Sequence, residues 1–219
     1  MSSLSITILG AGPIGSTLGR KWAKAGHSIA YGVQNPSSER AQALRQDLGE
    51  QVFIGSPAEA LAKGDIVVLA LAGQAVEGII TTYAQQLDGK IIIDAANRYP
   101  PDQKFSQTHQ WPTTALYSAH ILQSHAPHAQ VYRAFNTYSW QNLADPDYQG
   151  IQADMFYCGP DGDAMKTVEQ LITEIGLQPV RLGDIDQIDV VDSVLRLWGT
   201  LAIVQGKGVN NVAFKMLTR

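Results

Sequence analysis

An α/β fold built on a doubly wound, mainly parallel sheet, with a small helical carboxyl-terminal extension, is predicted by three observations. Runs such as DIVVLALA (65–72) and KIIIDA (90–95) are near-continuously apolar and β-branched, as in strands covered on both faces. Helical periodicity recurs between these runs at the short spacing of βαβ crossovers. A glycine-rich turn joins the first strand to the first helix.

The elements follow in order. Residues 4–9 read as a buried strand ending at Gly10; Pro13 opens a helix whose Ile14, Leu18, Trp22 and Ala25 share one face, and Gly26 stops it. A second strand spans 28–33, a polar cluster follows, and a helix spans 39–48. A third strand spans 51–54. Ser56, Pro57 and Glu59 spell a capping box that opens a short helix closed by Gly64. Strands at 65–72 and 90–95 flank a helix at 76–87. Residues 98–117, with three prolines and Trp111, break the pattern and read as a long surface loop. Ser118 is expected to cap a short helix to His125, before a strand at 131–135. Strands at 154–158 and 179–182 flank a helix at 163–175. The segment 188–204 is apolar around most of its circumference and calls for cover by another surface; Gly206 and Gly208 separate it from an amphipathic tail. Residues 1–140 thus form a nucleotide-binding domain and 150–219 an α/β and helical region packed on the same sheet, with a soft boundary between them.

Composition narrows the function classes. The 219 residues, 45% hydrophobic and 16% charged, suffice for a substantial core. A net charge of -4 provides no chain-wide attraction to nucleic acid or anionic membrane, and neither partner is expected. The lone Cys158 excludes an intrachain disulfide and suits a reducing compartment. The opening MSSLSITILGAG lacks a charged segment followed by a long apolar core, and no run reaches the roughly 18 apolar residues of a membrane helix, so the expected address is cytoplasmic.

Gly10, Gly12 and Gly15 form G-x-G-x-x-G between a strand and a helix, the arrangement of a Rossmann nucleotide-binding turn. Gly10 allows the tight turn, Gly12 the approach of a pyrophosphate, and Gly15 close packing of helix on strand. The helix beginning at Pro13 and Ile14 would turn its free amides toward the phosphate. A purely structural strand-to-helix turn could use the same glycines, but the context favours dinucleotide binding. The end of the second strand carries no acid to accept from ribose hydroxyls. Gln34, Asn35, Ser37 and Ser38 are neutral there, and Arg40 follows, so NADP is favoured over NAD. The alternative, Ser37 or Ser38 as a helix cap and Arg40 as a solvated charge, stays open.

Strand ends line the ligand site of such sheets, which selects Ala70, Leu71 and Ala72 as walls, and Asn97 and Asn136 for the nicotinamide carboxamide or the acceptor. Pairing of the two asparagines with loop backbone is an equal alternative. His120, His125 and His128 cluster without a carboxylate or cysteine at ligand spacing, so no metal site is expected. Cys158 reads as a buried, inert thiol.

With ILGAGPIGSTLGRKWAKAGHSIAYGVQNP, DIVVLALAGQAV, KIIIDAANRYP, AQVYRAFNTYSWQNL and GLQPVRLGDIDQIDVVDSVLRLWGTLA, the chain resembles the coenzyme F420-dependent NADP oxidoreductases. That family's amino-terminal domain is similar to those of pyrroline-5-carboxylate reductases and STEAP-type ferric reductases. The resemblance implies an NADP-dependent oxidoreductase that moves hydride between nicotinamide and a flavin-like small-molecule acceptor, F420 or FMN, chiefly by positioning. It places Gly10, Gly12, Pro13, Ile14 and Gly15 on the pyrophosphate, Gln34, Asn35 and Ser38 on the 2′-phosphate side, and Ala70, Leu71, Ala72, Asn97 and Asn136 on the nicotinamide side. Where Gln34 stands the family often has an arginine. It also implies a homodimer paired through the carboxyl-terminal helices. Flavin, ferric or imine reduction, and an NADPH-binding redox sensor without turnover, remain the alternative readings.

Overall fold

In the computed structural model, which describes residues 3–49, 52–99 and 117–219, six strands lie parallel in one sheet. They are β1 (Ser5–Leu9), β2 (Ser28–Gly32), β3 (Val52–Gly55), β4 (Ile66–Leu69), β5 (Ile91–Asp94) and β6 (Gln130–Arg133), ordered β3-β2-β1-β4-β5-β6. The order reverses between β1 and β4, and ligands of doubly wound sheets bind at the carboxyl ends of the strands beside such a reversal.

The period-two alternation of the strands feeds two hydrophobic layers. Ile6 and Ile8 of β1 and Ile66 and Val68 of β4 face one layer, whereas Leu9, Val67 and Leu69 face the other. Thr7 is buried among the second set, and its hydroxyl donates to the Ala60 carbonyl at 2.8 Å.

The crossover helices are α1 (Pro13–Lys24), α2 (Glu39–Leu48), α3 (Pro57–Leu61), α4 (Gly73–Thr82), α5 (Ala84–Leu87) and α6 (Ser118–His125). The Ser56 and Glu59 capping box at α3 forms as the sequence predicts. The single helix expected at 76–87 is two, α4 and α5, parted at Tyr83, whose φ of -112° and ψ of 24° leave the helical region. Ser118 does not cap α6: Tyr117 is the N-cap, and the Ser118 hydroxyl is buried inside the first turn. Gln51, Trp111 and most of the loop expected at 98–117 lie outside the described residues.

Beyond β6 come α7 (Trp140–Ala144) and a tight hairpin of β7 (Asp147–Tyr148) with β8 (Ile151–Gln152). A further crossover follows: β9 (Asp154–Tyr157), α8 (Asp163–Glu174) and β10 (Gln178–Arg181), with the two strands parallel. An antiparallel bridge between Arg133 and Cys158 fastens this pair to the edge of the large sheet. The first hydrophobic layer runs on into this region through Met155, Val168, Leu171 and Leu195, so both parts of the chain share one core. Trp22 of α1 is fully buried in it, with its indole N–H donating to the Leu171 carbonyl at 3.0 Å and its ring edge-on to Phe135.

The last helix, α9 (Ile188–Gly199), continues as a π-helical turn, Thr200–Val204. The tail after Gly206 has no regular structure and is tied down by polar contacts. Trp198 donates to the Val212 carbonyl at 2.9 Å, and Lys215 pairs with the buried Asp154 at 2.8 Å.

Candidate functional site: a nucleotide cleft and a buried polar ring

A cleft of about 620 Å³ opens at the carboxyl ends of β1, β2 and β4. Its floor is Gly10, Ala11 and Gly12. One end is Val33, Gln34, Asn35, Ser38, Glu39 and Arg40, and the opposite wall is Leu71, Ala72, Ala75 and Ile79.

The glycines divide the labour that the motif implies. A Cβ on Gly15 would stand 2.2 Å from the Gly10 carbonyl oxygen, and one on Gly10 2.4 Å from the Ala70 carbonyl oxygen, so both are demanded by packing. A Cβ on Gly12 would meet no protein atom within 4 Å. No described atom packs against that position, and Gly12 lines the cleft, so the space above it is open to a ligand. Gly12 is also the N-cap of α1, with no side-chain cap, leaving first-turn amides for an anion. A nucleotide pyrophosphate fits this floor. Pro13 and Ile14 form the first turn of α1, and Ala70 backs Gly10 and Gly15 from behind; with Gly15 they support the floor without lining the cleft.

Gln34, Asn35, Ser38 and Arg40 line the cleft where the adenosine end would lie, and Ser37 does not. The Ser38 hydroxyl caps α2, accepting from the Ala41 amide, while remaining on the cleft wall. Asn35 accepts from the Ser37 amide at 3.0 Å. Arg45 pins the loop from below, donating to the carbonyls of Pro36 and Ile54 at 2.7 and 2.9 Å. Sequence reasoning missed Arg45; its signal was an arginine about two helical turns beyond the loop. It also missed Glu39, which lines the cleft together with Arg40.

Asn97 and Asn136 stand apart from this cleft, in a buried polar ring after β5 and β6. Arg133, 2% exposed, donates to Asp192 (Nε–Oδ1 3.0 Å), Asn97 (Nη2–Oδ1 2.8 Å) and the Ala96 carbonyl (2.5 Å), and lies 3.3 Å from Asp94. Asn97 donates to the Asn136 carbonyl at 3.0 Å, and Asn136 Nδ2 donates to Asp192 Oδ1 at 3.0 Å. Burial pushes the Asp94 carboxyl above the ordinary carboxylate range, and Arg133 pulls part of that back. Burial also opposes the Arg133 charge, but Asp94 and Asp192 outweigh it and hold the guanidinium above its usual value. Phe135, between β6 and Asn136, takes a φ of 60°, an unusual backbone for a bulky residue. Asn136 Oδ1 and Thr137 Oγ1 are buried without a hydrogen-bond partner among the described residues.

Two of the three histidines have separate partners: His128 pairs with Asp88 at 2.9 Å, whereas His120 packs edge-on with Tyr117. Among the described residues no group of three or more metal-ligating side chains forms. Cys158 is buried, and desolvation pushes its thiol up to about 12. No described helix is long and apolar enough to cross a membrane.

A glycine turn at the switch point of a 3-2-1-4-5-6 sheet, with open space at its middle glycine, has the geometry of a Rossmann dinucleotide-binding site. Over residues 5–98 the chain matches the family model of NADP oxidoreductases, coenzyme F420-dependent. The metalloreductase STEAP3 of Rattus norvegicus is 27% identical over 194 residues, 88% of this chain but only 36% of that protein. The chain thus spans about a third of the length of that curated relative. A solved structure from Arthrobacter sp. FB24, named for a proposed F420-dependent NADP reductase, superposes with a TM-score of 0.82 at 24% identity, covering 99% of this chain and 100% of that one. A reductive aminase from Aspergillus terreus, solved with NADPH4, cyclohexanone and allyl amine, reaches a TM-score of 0.61 at 19% identity over 94% of this chain and 63% of its own. The last two likenesses bear on the fold.

Proposed function

We propose that the chain binds NADP(H), in preference to NAD(H), in this cleft and passes hydride between nicotinamide and a flavin-like small molecule, F420 or FMN. The open space at Gly12 is the observation that carries nucleotide binding. The N-terminus of α1 holds the pyrophosphate, and Arg40 with the pinned loop at 34–38 receives the 2′-phosphate. Leu71, Ala72, Ala75 and Ile79 form an apolar wall that excludes water from one side of the bound cofactor. When bound, the cofactor supplies the hydride; the side chains orient it and keep the site dry, and no acid or base is assigned to them. The chain acts in the cytoplasm.

The lack of an acid or base beside Leu71 and Ala72 among the described residues equally suits a sensor that binds NADPH without turnover. Separate titrations with NADPH and NADH, followed by nicotinamide fluorescence, test the binding; saturable oxidation of NADPH by F420, FMN or ferric iron separates enzyme from sensor. Binding of neither nucleotide overturns the proposal. Exposed Val190, Leu197, Ile203 and Val204 on α9 and the π-helical turn support pairing of two copies, to be read from the mass in solution.

A further inference from the structure

Arg133, Asn97, Asn136 and Asp192 close into a ring of hydrogen bonds, and the ring leaves neither asparagine a choice of orientation. Asn97 turned over would present its NH₂ to the Arg133 guanidinium. Asn136 turned over would set its oxygen against the Asp192 carboxylate. Both arrangements are repulsive in a buried setting. Asn136 therefore keeps Nδ2 on Asp192 and leaves Oδ1 as an acceptor with no partner among the described residues.

The ring adjoins the cleft through backbone. The Asn97 carbonyl oxygen lies 2.3 Å from where a Cβ on Gly73 would be, and Gly73 directly follows the cleft residue Ala72. Along the carboxyl edge of the sheet the order runs from the glycine loop at β1 through β4 to the ring at β5 and β6. An adenosine group near Gln34 and Arg40 leaves the far half of the dinucleotide pointing along this edge.

Resting on the NADP(H) reading above, we infer that Asp192, on the carboxyl-terminal helix α9, is a positioning residue that holds Asn136 Oδ1 as a hydrogen-bond acceptor for the nicotinamide half of the cofactor. The group it would receive is an N–H donor, such as a carboxamide. Asp192 supplies one oxygen to Arg133 and Asn136 together, so the acceptor atom, more than its charge, sets the orientation. The strained Phe135 backbone delivers Asn136 to that oxygen.

The test uses two ligands on the full chain: NADPH, and 2′,5′-ADP, which lacks the nicotinamide half. Asp192→Leu removes the acceptor at similar volume, and should weaken NADPH about tenfold while leaving 2′,5′-ADP within about twofold of wild type. Asp192→Asn retains the oxygen and should restore NADPH binding to within about threefold. Should Asp192→Leu fail to fold, Asn136→Leu takes its place with the same expected split. Equal weakening of both ligands, or Asp192→Asn behaving like Asp192→Leu, overturns the inference in favour of a structural or charge role. Unchanged binding of both ligands to a folded Asp192→Leu also overturns it. Wild type binding 2′,5′-ADP but no tighter to NADPH overturns this inference alone, and binding neither overturns the nucleotide reading with it.

Discussion

The Gly10 carbonyl oxygen stands 2.2 Å from where a Gly15 Cβ would sit, whereas Gly12, between them in sequence, faces open space. The three motif glycines are thus separable by experiment. Gly15→Ala should destabilise the fold by about 1–3 kcal/mol through overpacking, read as a lower urea midpoint. Gly12→Val should leave that midpoint within about 0.5 kcal/mol and abolish NADPH binding. A Gly12→Val protein that still binds NADPH at wild-type strength would place the nucleotide elsewhere.

At the adenosine end, Arg40 lines the cleft without an ion pair or side-chain hydrogen bond among the described residues, and Glu39 stands beside it. Arg40→Ala should weaken NADPH about tenfold and leave NADH unchanged, because only the former carries the 2′-phosphate. Glu39→Gln should tighten NADPH a few-fold, with both effects shrinking as salt rises. Parallel losses for the two nucleotides in Arg40→Ala would remove Arg40 from the phosphate.

The buried Asp94 provides a pH signature. Its folded carboxyl titrates above the unfolded one, so the folded chain takes up this proton first as the pH falls. This group therefore penalises folding at neutral pH, and the penalty is relieved as the pH drops through the folded value. Asp94→Asn keeps an oxygen for the Ala96 amide, which Asp94 accepts at 3.0 Å, and should remove that relief. Urea midpoints of wild type minus variant should rise between pH 7.5 and 5. A constant difference would mean that Asp94 stays ionised throughout.

Cys158 offers a control on the core. With the thiol buried and raised to about 12, native protein should resist an aromatic disulfide reagent, and one thiol per chain should react in denaturant. Rapid native labelling would show that the β6–β9 junction opens.

The strands of the large sheet and the α3 cap were legible because their causes are local: a run such as IVVL or a Ser-Pro-x-Glu box needs no distant partner. The same holds for the glycine turn and for Gln34, Asn35 and Arg40 on the cleft wall. The β7–β8 hairpin was missed because its turn is Gln149-Gly150, both at positive φ, and glutamine is a weak marker for that conformation. The polar ring was missed because its members span positions 94 to 192 and meet only when α9 packs on β6. One trace was present. Asp192 falls on the same helical face as Ile188, Val191 and Leu195, where an apolar residue is the rule, and an acid there signals a buried cation. Asn97 and Asn136 were found by position after their strands, but their orientation came only from partners remote in sequence.

Trp22 lends its indole N–H to Leu171, a residue of α8 far along the chain. The helix whose amino end borders the cleft is therefore finished by material encoded after the sixth strand. A gene fragment stopping near residue 144 would strip α8 from Trp22 and leave a large apolar ring in water and its N–H unmatched. The half that carries the glycine turn is not a portable cassette. Fusions or circular permutations of this chain should keep α1 and α8 together, with new joints made in exposed turns such as Gln149-Gly150.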